Sequence, residues 1–155
     1  MKKCFKKEGF TLAELLIVVA IIGVLVAISI PIFTAQLRKA RLATNQANAR
    51  AAYAAAMAWY IENADTDEQT FKDVGTYDVS TGLFTPGRPS GASEPSSDDP
   101  KLDINISSWT VNSPSRVNNA DARNVGGTVY KKWDVYWKQN PFDGTILNFT
   151  AFNDD

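Results

Sequence analysis

The stretch Gly9-Phe10-Thr11-Leu12-Ala13-Glu14 lies between a lysine-rich leader and a long apolar segment, and this junction decides the fold. Apart from Glu14, every residue from Leu12 to Phe33 is apolar or small. At ~1.5 Å per residue, the 24 residues from Phe10 to Phe33 form a helix of about 36 Å, whereas a hydrocarbon core is about 30 Å thick. The sequence therefore predicts a helix that can span a bilayer.

A basic flank precedes this segment and orients it. The flank consists of four lysines, Lys2, Lys3, Lys6 and Lys7. Because the cytoplasmic flanks of membrane helices carry an excess of Lys and Arg, the N-terminus is predicted to stay in the cytoplasm. Everything after Phe33 is then predicted to lie outside, which makes the precursor a single-pass membrane protein.

Glu14 places a carboxylate inside the apolar segment, where a charge is costly and usually serves a function. Cutting the chain after Gly9 would create an α-amino group at Phe10 that can offset this charge. The new amine could meet its own Glu14 or, in a bundle of such helices, Glu14 of a neighbouring copy. The second arrangement would fix the register between subunits.

The junction resembles a known signal. Lys-Lys-Glu-Gly9 followed by Phe10-Thr11-Leu12-Ala13-Glu14-Leu15-Leu16 closely resembles the class III signal of type IV pilins and pseudopilins, and the match covers about residues 1–40. The resemblance implies that a membrane aspartyl peptidase cuts after Gly9 and methylates Phe10. It also implies that the N-terminal helices pack into the core of a helical filament.

The same resemblance assigns roles within the helix. It implies that Glu14 acts in assembly and that Pro31 bends the helix, since a proline removes one backbone hydrogen bond and crowds the preceding turn. Gly23 is a second weak point, or equally a place where helices pack closely in a membrane.

The resemblance predicts a structural subunit, a type IV pilin, whose main partner is other copies of itself. Other partners that it implies are a prepilin peptidase and methyltransferase, a pilus assembly platform with its ATPase, and membrane lipid before assembly. Adhesion, motility or surface interaction would be the role of the extracellular filament. The alternative is a pseudopilin of a type II secretion or DNA-uptake system.

Two other interpretations of the N-terminus remain open. An ordinary secretory signal would be cut after Ala27-Ile28-Ser29, and a plain membrane anchor would not be cut. Neither explains the charge of Glu14. The first residue of the mature chain separates the three interpretations, because it would be methylated Phe10, Ile30 or Met1 respectively.

Composition excludes several function classes. The chain of 155 residues has no histidine, which removes the commonest general base and zinc ligand, so an enzyme is not expected. Removing residues 1–9 takes away four lysines and one glutamate and changes the formal charge from −1 to −4, which argues against nucleic acid as a partner. The single cysteine, Cys4, lies in the predicted leader, so no disulfide is expected.

The sequence predicts four regions: a leader, residues 1–9; a membrane and filament-core helix, residues 10–33; its amphipathic continuation, residues 34–62; and a loop-rich β-sheet head, residues 63–155. A Pro/Ser-rich loop, residues 86–100, is predicted to be exposed and mobile. A stripe spaced by four and three predicts the packing face of the helix: Phe33, Leu37, Ala40, Thr44, Ala47, Ala51, Ala54, Ala58 and Ile61. Tyr53, Met57 and Tyr60 are predicted to pack on the sheet.

Period-two patterns predict the strands of the head. One strand should turn Leu102, Ile104 and Ile106 to one face, with a break at Ser107-Ser108. A second should have a core face, Val129, Trp133, Val135 and Trp137, and an outer face, Tyr130, Lys132, Asp134 and Lys138. Asn140-Pro141-Phe142-Asp143-Gly144 predicts a hairpin turn, after which Leu147, Phe149 and Ala151 return along a third strand. The predicted fold is α+β, a long helix packed on an antiparallel sheet.

Minor candidate sites lie in the head. Acidic residues that could bind calcium weakly are Asp65, Asp67, Glu68, Asp98 and Asp99, although no EF-hand spacing is present and no cofactor is expected. Asn105-Ile106-Ser107 and Asn148-Phe149-Thr150 match the N-glycosylation tripeptide, but each falls in a predicted strand, which favours a chance match. Basic residues that could contact anionic lipid head groups are Arg38, Lys39, Arg41 and Arg50.

Overall fold

The computed structural model describes residues 9–63, 73–87, 99–113, 124–139 and 142–153. It contains a single long helix, α1 (Leu12–Glu62), within the part of the chain so described. Contacts between residues divide the chain after Gln36 into an N-terminal helical unit and a second unit, residues 37–155. From here on we call this second unit the head, so that it includes the second half of α1 as well as the predicted region 63–155. The prediction of one long helix followed by a sheet is confirmed.

The ends of α1 follow from local sequence. Thr11 precedes the helix and caps it, and alanine, the best helix former, dominates the second half. At the other end Asn63 leaves the helix, with its backbone N–H donating to Trp59 O (3.1 Å) and its side-chain amide donating to the same oxygen (2.8 Å). The predicted end near Asn63 is therefore confirmed, whereas a bend at Gly23 or Pro31, both inside α1, stays a prediction.

Five antiparallel strands form one sheet within the described residues: β1 (Val74–Asp78), β2 (Leu83–Pro86), β3 (Lys101–Asp103), β4 (Lys132–Gln139) and β5 (Phe142–Phe152). Their order across the sheet is β2-β1-β4-β5-β3. The sequence did not predict β1 and β2, which are short and form a hairpin at one edge. The prediction of an exposed loop 86–100 is wrong at its ends, because Pro86 belongs to β2 and Gly87, Asp99 and Pro100 are buried. Residues 88–98 lie outside the described residues.

The core face of β4 was predicted correctly for Trp133, Val135 and Trp137, which are all buried. The prediction that Val129 faces the core is wrong, since this residue precedes β4 and is 38% exposed. Tyr130 and Asp134 were predicted to point outward, yet both are buried. Asp134 is tolerated there because β4 is a central strand whose neighbour β1 supplies the hydroxyl of Thr76, which donates to Asp134 Oδ1 at 2.7 Å.

A β-bulge in β5 makes the predicted core face of this strand wrong at Leu147. Tyr136 pairs with Asn148 and Trp137 pairs with Ile146, so Leu147 is the extra residue and alternation is interrupted there. Ile146 and Phe149 are consequently buried, whereas Leu147 is 50% exposed.

The hairpin joining β4 and β5 is confirmed, but its turn is shorter than predicted. Gln139 already pairs with Phe142, so Asp143 and Gly144 belong to β5 rather than to the turn. A second register shift between β4 and β5 lies between Trp137 and Gln139, opposite Gly144. Gly144 has a φ of 74°, a left-handed backbone conformation that glycine adopts more easily than other residues.

The strand predicted from Leu102 to Ile106 ends early. β3 ends at Asp103, and the predicted break at Ser107-Ser108 lies within a 3₁₀ helix, Ile106–Ser108. Leu102 and Ile106 are buried, but Ile104 is 49% exposed because the chain turns between them.

The packing face of α1 was predicted wrongly. Its buried residues in the head are Asn45, Ala49, Ala52 and Ala56, whereas from Leu37 to Ile61 every member of the predicted stripe is exposed. Alanine occurs on all sides of this segment, so its spacing could not identify the buried side. Tyr53 is likewise 41% exposed, while Met57 packs partly buried against the core.

Aromatic contacts join α1 to the sheet and fill the core. Trp59 of α1 lies with its ring centroid 5.8 Å from Trp137 and 6.2 Å from Phe84. Deeper in the head, Trp109 stacks on Trp133 at 6.0 Å with nearly parallel rings. Such pairs add about 0.5–1.5 kcal/mol each beyond the apolar area that they bury.

Candidate processing and assembly site

The predicted cleavage bond lies ahead of the helix. Gly9 and Phe10 are both exposed and neither belongs to α1, which begins at Leu12; Phe10 is 88% exposed. A peptidase needs an accessible peptide whose backbone is free of helical hydrogen bonds. The structure therefore presents the Gly9–Phe10 bond in a form that can be cut.

Glu14 and Thr11 form a capping box at the start of α1. The backbone N–H and the hydroxyl of Thr11 both donate to Glu14 Oε2, each at 2.8 Å. In return, the hydroxyl of Thr11 accepts from the backbone N–H of Glu14 at 3.2 Å. This reciprocal arrangement satisfies donors that a helix start leaves unpaired, and the negative charge suits the positive end of the helix dipole.

The remaining surface of the N-terminal helix is apolar and uncovered. The large hydrophobic side chains from Leu12 to Phe33 are between 47% and 80% exposed. Residues Leu12–Glu62 form a helix long and apolar enough to cross a membrane, with a mean hydropathy of 3.1 in its most apolar window. Exposing so large an apolar surface to water is unfavourable, and surfaces of this kind are normally covered by lipid or by another protein.

Further along α1, polar side chains bind the irregular backbone of the head. We call these residues the donor face: Arg38, Arg41, Asn45, Gln46 and Asn48. The guanidinium of Arg38 donates to Asn112 Oδ1 (2.6 Å) and Val111 O (3.4 Å), and that of Arg41 donates to Gly127 O. The amides of Gln46 and Asn48 donate to Ile106 O (2.9 Å) and Tyr130 O (3.1 Å).

Asn45 is the buried centre of the donor face. Its Nδ2 donates to Val125 O at 2.8 Å and Thr128 O at 2.7 Å, and its Oδ1 accepts from the backbone N–H of Tyr130 at 3.0 Å. The side chain is fully buried. A non-repetitive segment can lie against a helix only if its peptide groups find partners, and the donor face supplies them.

These contacts change the interpretation of the basic residues. Arg38 and Arg41 bind backbone oxygens of the head, so positioning loops is one of their roles. Lys39 and Arg50 are exposed. Contact of any of the four with lipid head groups stays a prediction.

Of the five acidic residues proposed as weak calcium ligands, the structure describes only Asp99. Asp65, Asp67, Glu68 and Asp98 lie outside the described residues, and Asp99 is buried at 6% exposure. Among the residues that are described, no group of three or more His, Cys, Asp or Glu side chains could hold a metal. Calcium binding stays a prediction.

Sequence reasoning missed two parts of this site. The capping box had a recognisable sequence signal, Thr-x-x-Glu directly before an apolar run. Its hydrogen bonds offset part of the free-energy cost of placing the Glu14 carboxylate in an apolar segment, without any partner chain. Asn45 had no such signal, because its partners lie about 80 residues away along the chain.

The comparisons with known proteins concern the same N-terminal segment. The prokaryotic N-terminal methylation motif matches residues 4–30. Fimbrial protein EcpB of Eikenella corrodens is 50% identical over 38 residues, which are 24% of this chain and 24% of that protein. The match thus spans less than a quarter of the relative, and no solved structure matches the chain.

Proposed function

Because residues 4–30 match the prokaryotic N-terminal methylation motif, we propose that this chain is the precursor of a type IV pilin subunit that polymerises into an extracellular filament. The observation that carries the proposal is the junction itself. An exposed Gly9–Phe10 bond stands directly before a capped helix whose apolar surface is uncovered.

Processing is the first step of the proposal. A prepilin peptidase removes residues 1–9 and the terminus at Phe10 is methylated. The capping box does not depend on the leader, because Thr11 and Glu14 both remain in the mature chain. Cleavage therefore creates a terminal amine without disturbing the start of α1.

The apolar surface accounts for the next two stages. Before assembly, lipid covers residues 10–33, with the lysine flank in the cytoplasm and the head outside. During assembly, other copies replace the lipid, with the assembly platform and its ATPase as the machinery. Burying a Leu, Ile, Val or Phe side chain relative to water is worth about 1.5–3 kcal/mol, so such a helix does not leave lipid without an equally apolar environment.

Glu14 can serve both its own helix and a neighbour. Both hydrogen bonds from Thr11 end on Oε2, and Oε1 accepts none from the residues that the structure describes. A carboxylate has about four acceptor positions. The terminal amine of a neighbouring Phe10 can therefore pair with Oε1 while the capping box stays intact, which would set the register between subunits.

The test separates capping from charge pairing. Glu14→Gln keeps a capping box, since Gln serves at this position as well as Glu, but it removes the charge. Thr11→Ala removes the cap and keeps the charge. We expect Glu14→Gln to be cut and methylated normally yet to yield little sedimentable filament, while Thr11→Ala assembles.

Mass spectrometry of the N-terminal peptide reports processing, and the sheared, sedimented fraction of the chain reports assembly. Wild-type amounts of filament from Glu14→Gln would show that capping alone explains the residue. A mature chain beginning at Met1 or Ile30 would overturn the proposal as a whole. Electron microscopy of cells with an antibody to residues 86–100 would distinguish long surface filaments from a short pseudopilus.

A further inference from the structure

An exposed turn follows β3 and carries one of the two acceptor tripeptides, Asn105-Ile106-Ser107. The sequence placed this tripeptide in a strand, which argued against its modification. Since β3 ends at Asp103 and a 3₁₀ helix begins at Ile106, that objection does not apply.

The backbone of this turn is held in place. Asp103 Oδ1 accepts from the backbone N–H of Asn105 at 2.8 Å. The carbonyl oxygen of Asn105 accepts from the N–H of Ser108 at 2.9 Å and from its hydroxyl at 2.7 Å. Ile106, the middle residue of the tripeptide, is buried in the core at 8% exposure. The turn is therefore fixed by its backbone and by its one apolar side chain.

The two side chains that define the tripeptide face solvent. Asn105 and Ser107 are both exposed. Asn105 occupies the N-cap position of the 3₁₀ helix, yet its side chain makes no capping hydrogen bond. Its amide nitrogen is thus presented to solvent rather than used by the fold.

An open depression of about 280 Å³ adjoins Asn105. It is lined by Arg50 and Tyr53 of α1 together with the turn residues Ile104 to Ser107. Tyr53 leaves 41% of its surface exposed. An aromatic ring offers a flat apolar surface to the C–H face of a pyranose, and the polar tips of Arg50 and Tyr53 can bind hydroxyl groups.

The second tripeptide provides an internal contrast. Asn148 lies within β5 and pairs with Asp103 of β3 on one side and Tyr136 of β4 on the other. Phe149 is fully buried and Thr150 is 1% exposed. No transferase can reach this segment without separating three strands.

From these contacts we propose that Asn105 is an N-glycosylation site, modified outside the cytoplasm by a membrane transferase that uses a saccharide linked to a polyprenyl diphosphate. The amide nitrogen of Asn105 forms a bond to C1 of the first sugar and gives up one proton. The bond between C1 and the diphosphate oxygen breaks, and polyprenyl diphosphate leaves with the electron pair. The outward location of the head rests on the proposed function.

The test is a peptide map of full-length and mature protein from the membrane and filament fractions of native cells. We expect the peptide containing Asn105 to carry the mass of at least one sugar residue, and the peptide containing Asn148 to be unmodified. The N-terminal peptide of the same digest reports whether Phe10 is the methylated terminus. A bare Asn105 beside a methylated Phe10 would overturn the glycosylation site alone, whereas a modified Asn105 beside an uncut terminus would overturn the pilin proposal alone.

Variants confirm the acceptor. Asn105→Gln and Ser107→Ala should abolish the added mass, and Ser107→Thr should retain it, because threonine also satisfies the tripeptide. Asn148→Gln is the matched control and should leave the added mass unchanged. Modification that survives Asn105→Gln would place the sugar elsewhere and refute the site.

Discussion

Replacing Asn45 by alanine removes three hydrogen bonds at once, because its side chain binds Val125 O, Thr128 O and the N–H of Tyr130; the bond to Thr128 O is half-buried and the other two are buried. Each buried backbone group left without a partner costs about 1–3 kcal/mol. With partial access of water to the vacated space, we expect a loss of about 3–4 kcal/mol in the free energy of unfolding. Domains of this size are stable by about 5–15 kcal/mol in total, so the head would remain folded but would be much weakened.

The assay is urea unfolding of the full chain in detergent micelles, followed by tryptophan emission. All four tryptophans, Trp59, Trp109, Trp133 and Trp137, belong to the head, so their emission reports its unfolding. For a slope of about 2 kcal/mol per molar urea, the midpoint should fall by about 1.5–2 M.

Two neighbouring substitutions serve as controls for Asn45→Ala. Asn48 makes one half-buried bond to Tyr130 O, so Asn48→Ala should cost about 1 kcal/mol. Thr44 is exposed and its hydroxyl bonds only to Ala40 O of its own helix, so Thr44→Ala should cost nearly nothing. If Asn45→Ala were no more damaging than Asn48→Ala, the donor face would not hold the loops as the structure indicates.

Two further predictions concern the head. A Cβ on Gly126 would clash with Val111 O, which is a backbone atom and cannot move aside, so Gly126→Ala should lower the free energy of unfolding by about 2–3 kcal/mol. Gly82 has a φ of 69° but open space around it, so Gly82→Ala should cost only about 1–2 kcal/mol. Equal urea midpoints for the two variants would contradict this reasoning. The hydrogen bond from the hydroxyl of Ser80, with smaller contributions from the backbone of Ser80 and Thr81 and from the charge of Lys132, holds the pKa of Asp78 below its usual 3.8. The ionised carboxylate therefore stabilises the fold above pH 3.8, and this contribution is lost as the pH falls through the lower pKa of the folded state. Asp78→Asn should therefore lower stability by at most about 1 kcal/mol at neutral pH, since the group is largely exposed, and should match the wild type in acid; a difference that persists there would refute the linkage.

The sequence alone was sufficient for the features that depend on near neighbours. The apolar length of residues 10–33 predicted a helix that can span a bilayer, and the structure places these residues in or directly before α1, which ends at Glu62 as predicted. Cleavage after Gly9 is a local prediction of the same kind and stays a prediction. The capping box is equally local, since Thr11 and Glu14 are three positions apart and the spacing Thr-x-x-Glu before an apolar run is its sequence signature.

Only the tertiary structure decided which side of α1 meets the sheet and which side chains of β5 enter the core. Alanine occurs on every side of the second half of α1, so hydropathy does not single out one face there. The buried side carries Asn45, which bonds to the backbone of residues 125–130, and Trp59, which packs on Trp137 of the sheet. Leu147 turns outward because it is the extra residue of β5 where this strand pairs with Tyr136 and Trp137 of β4. In both cases the deciding contact joins residues distant along the chain, and its energy arises only once the two segments pack together.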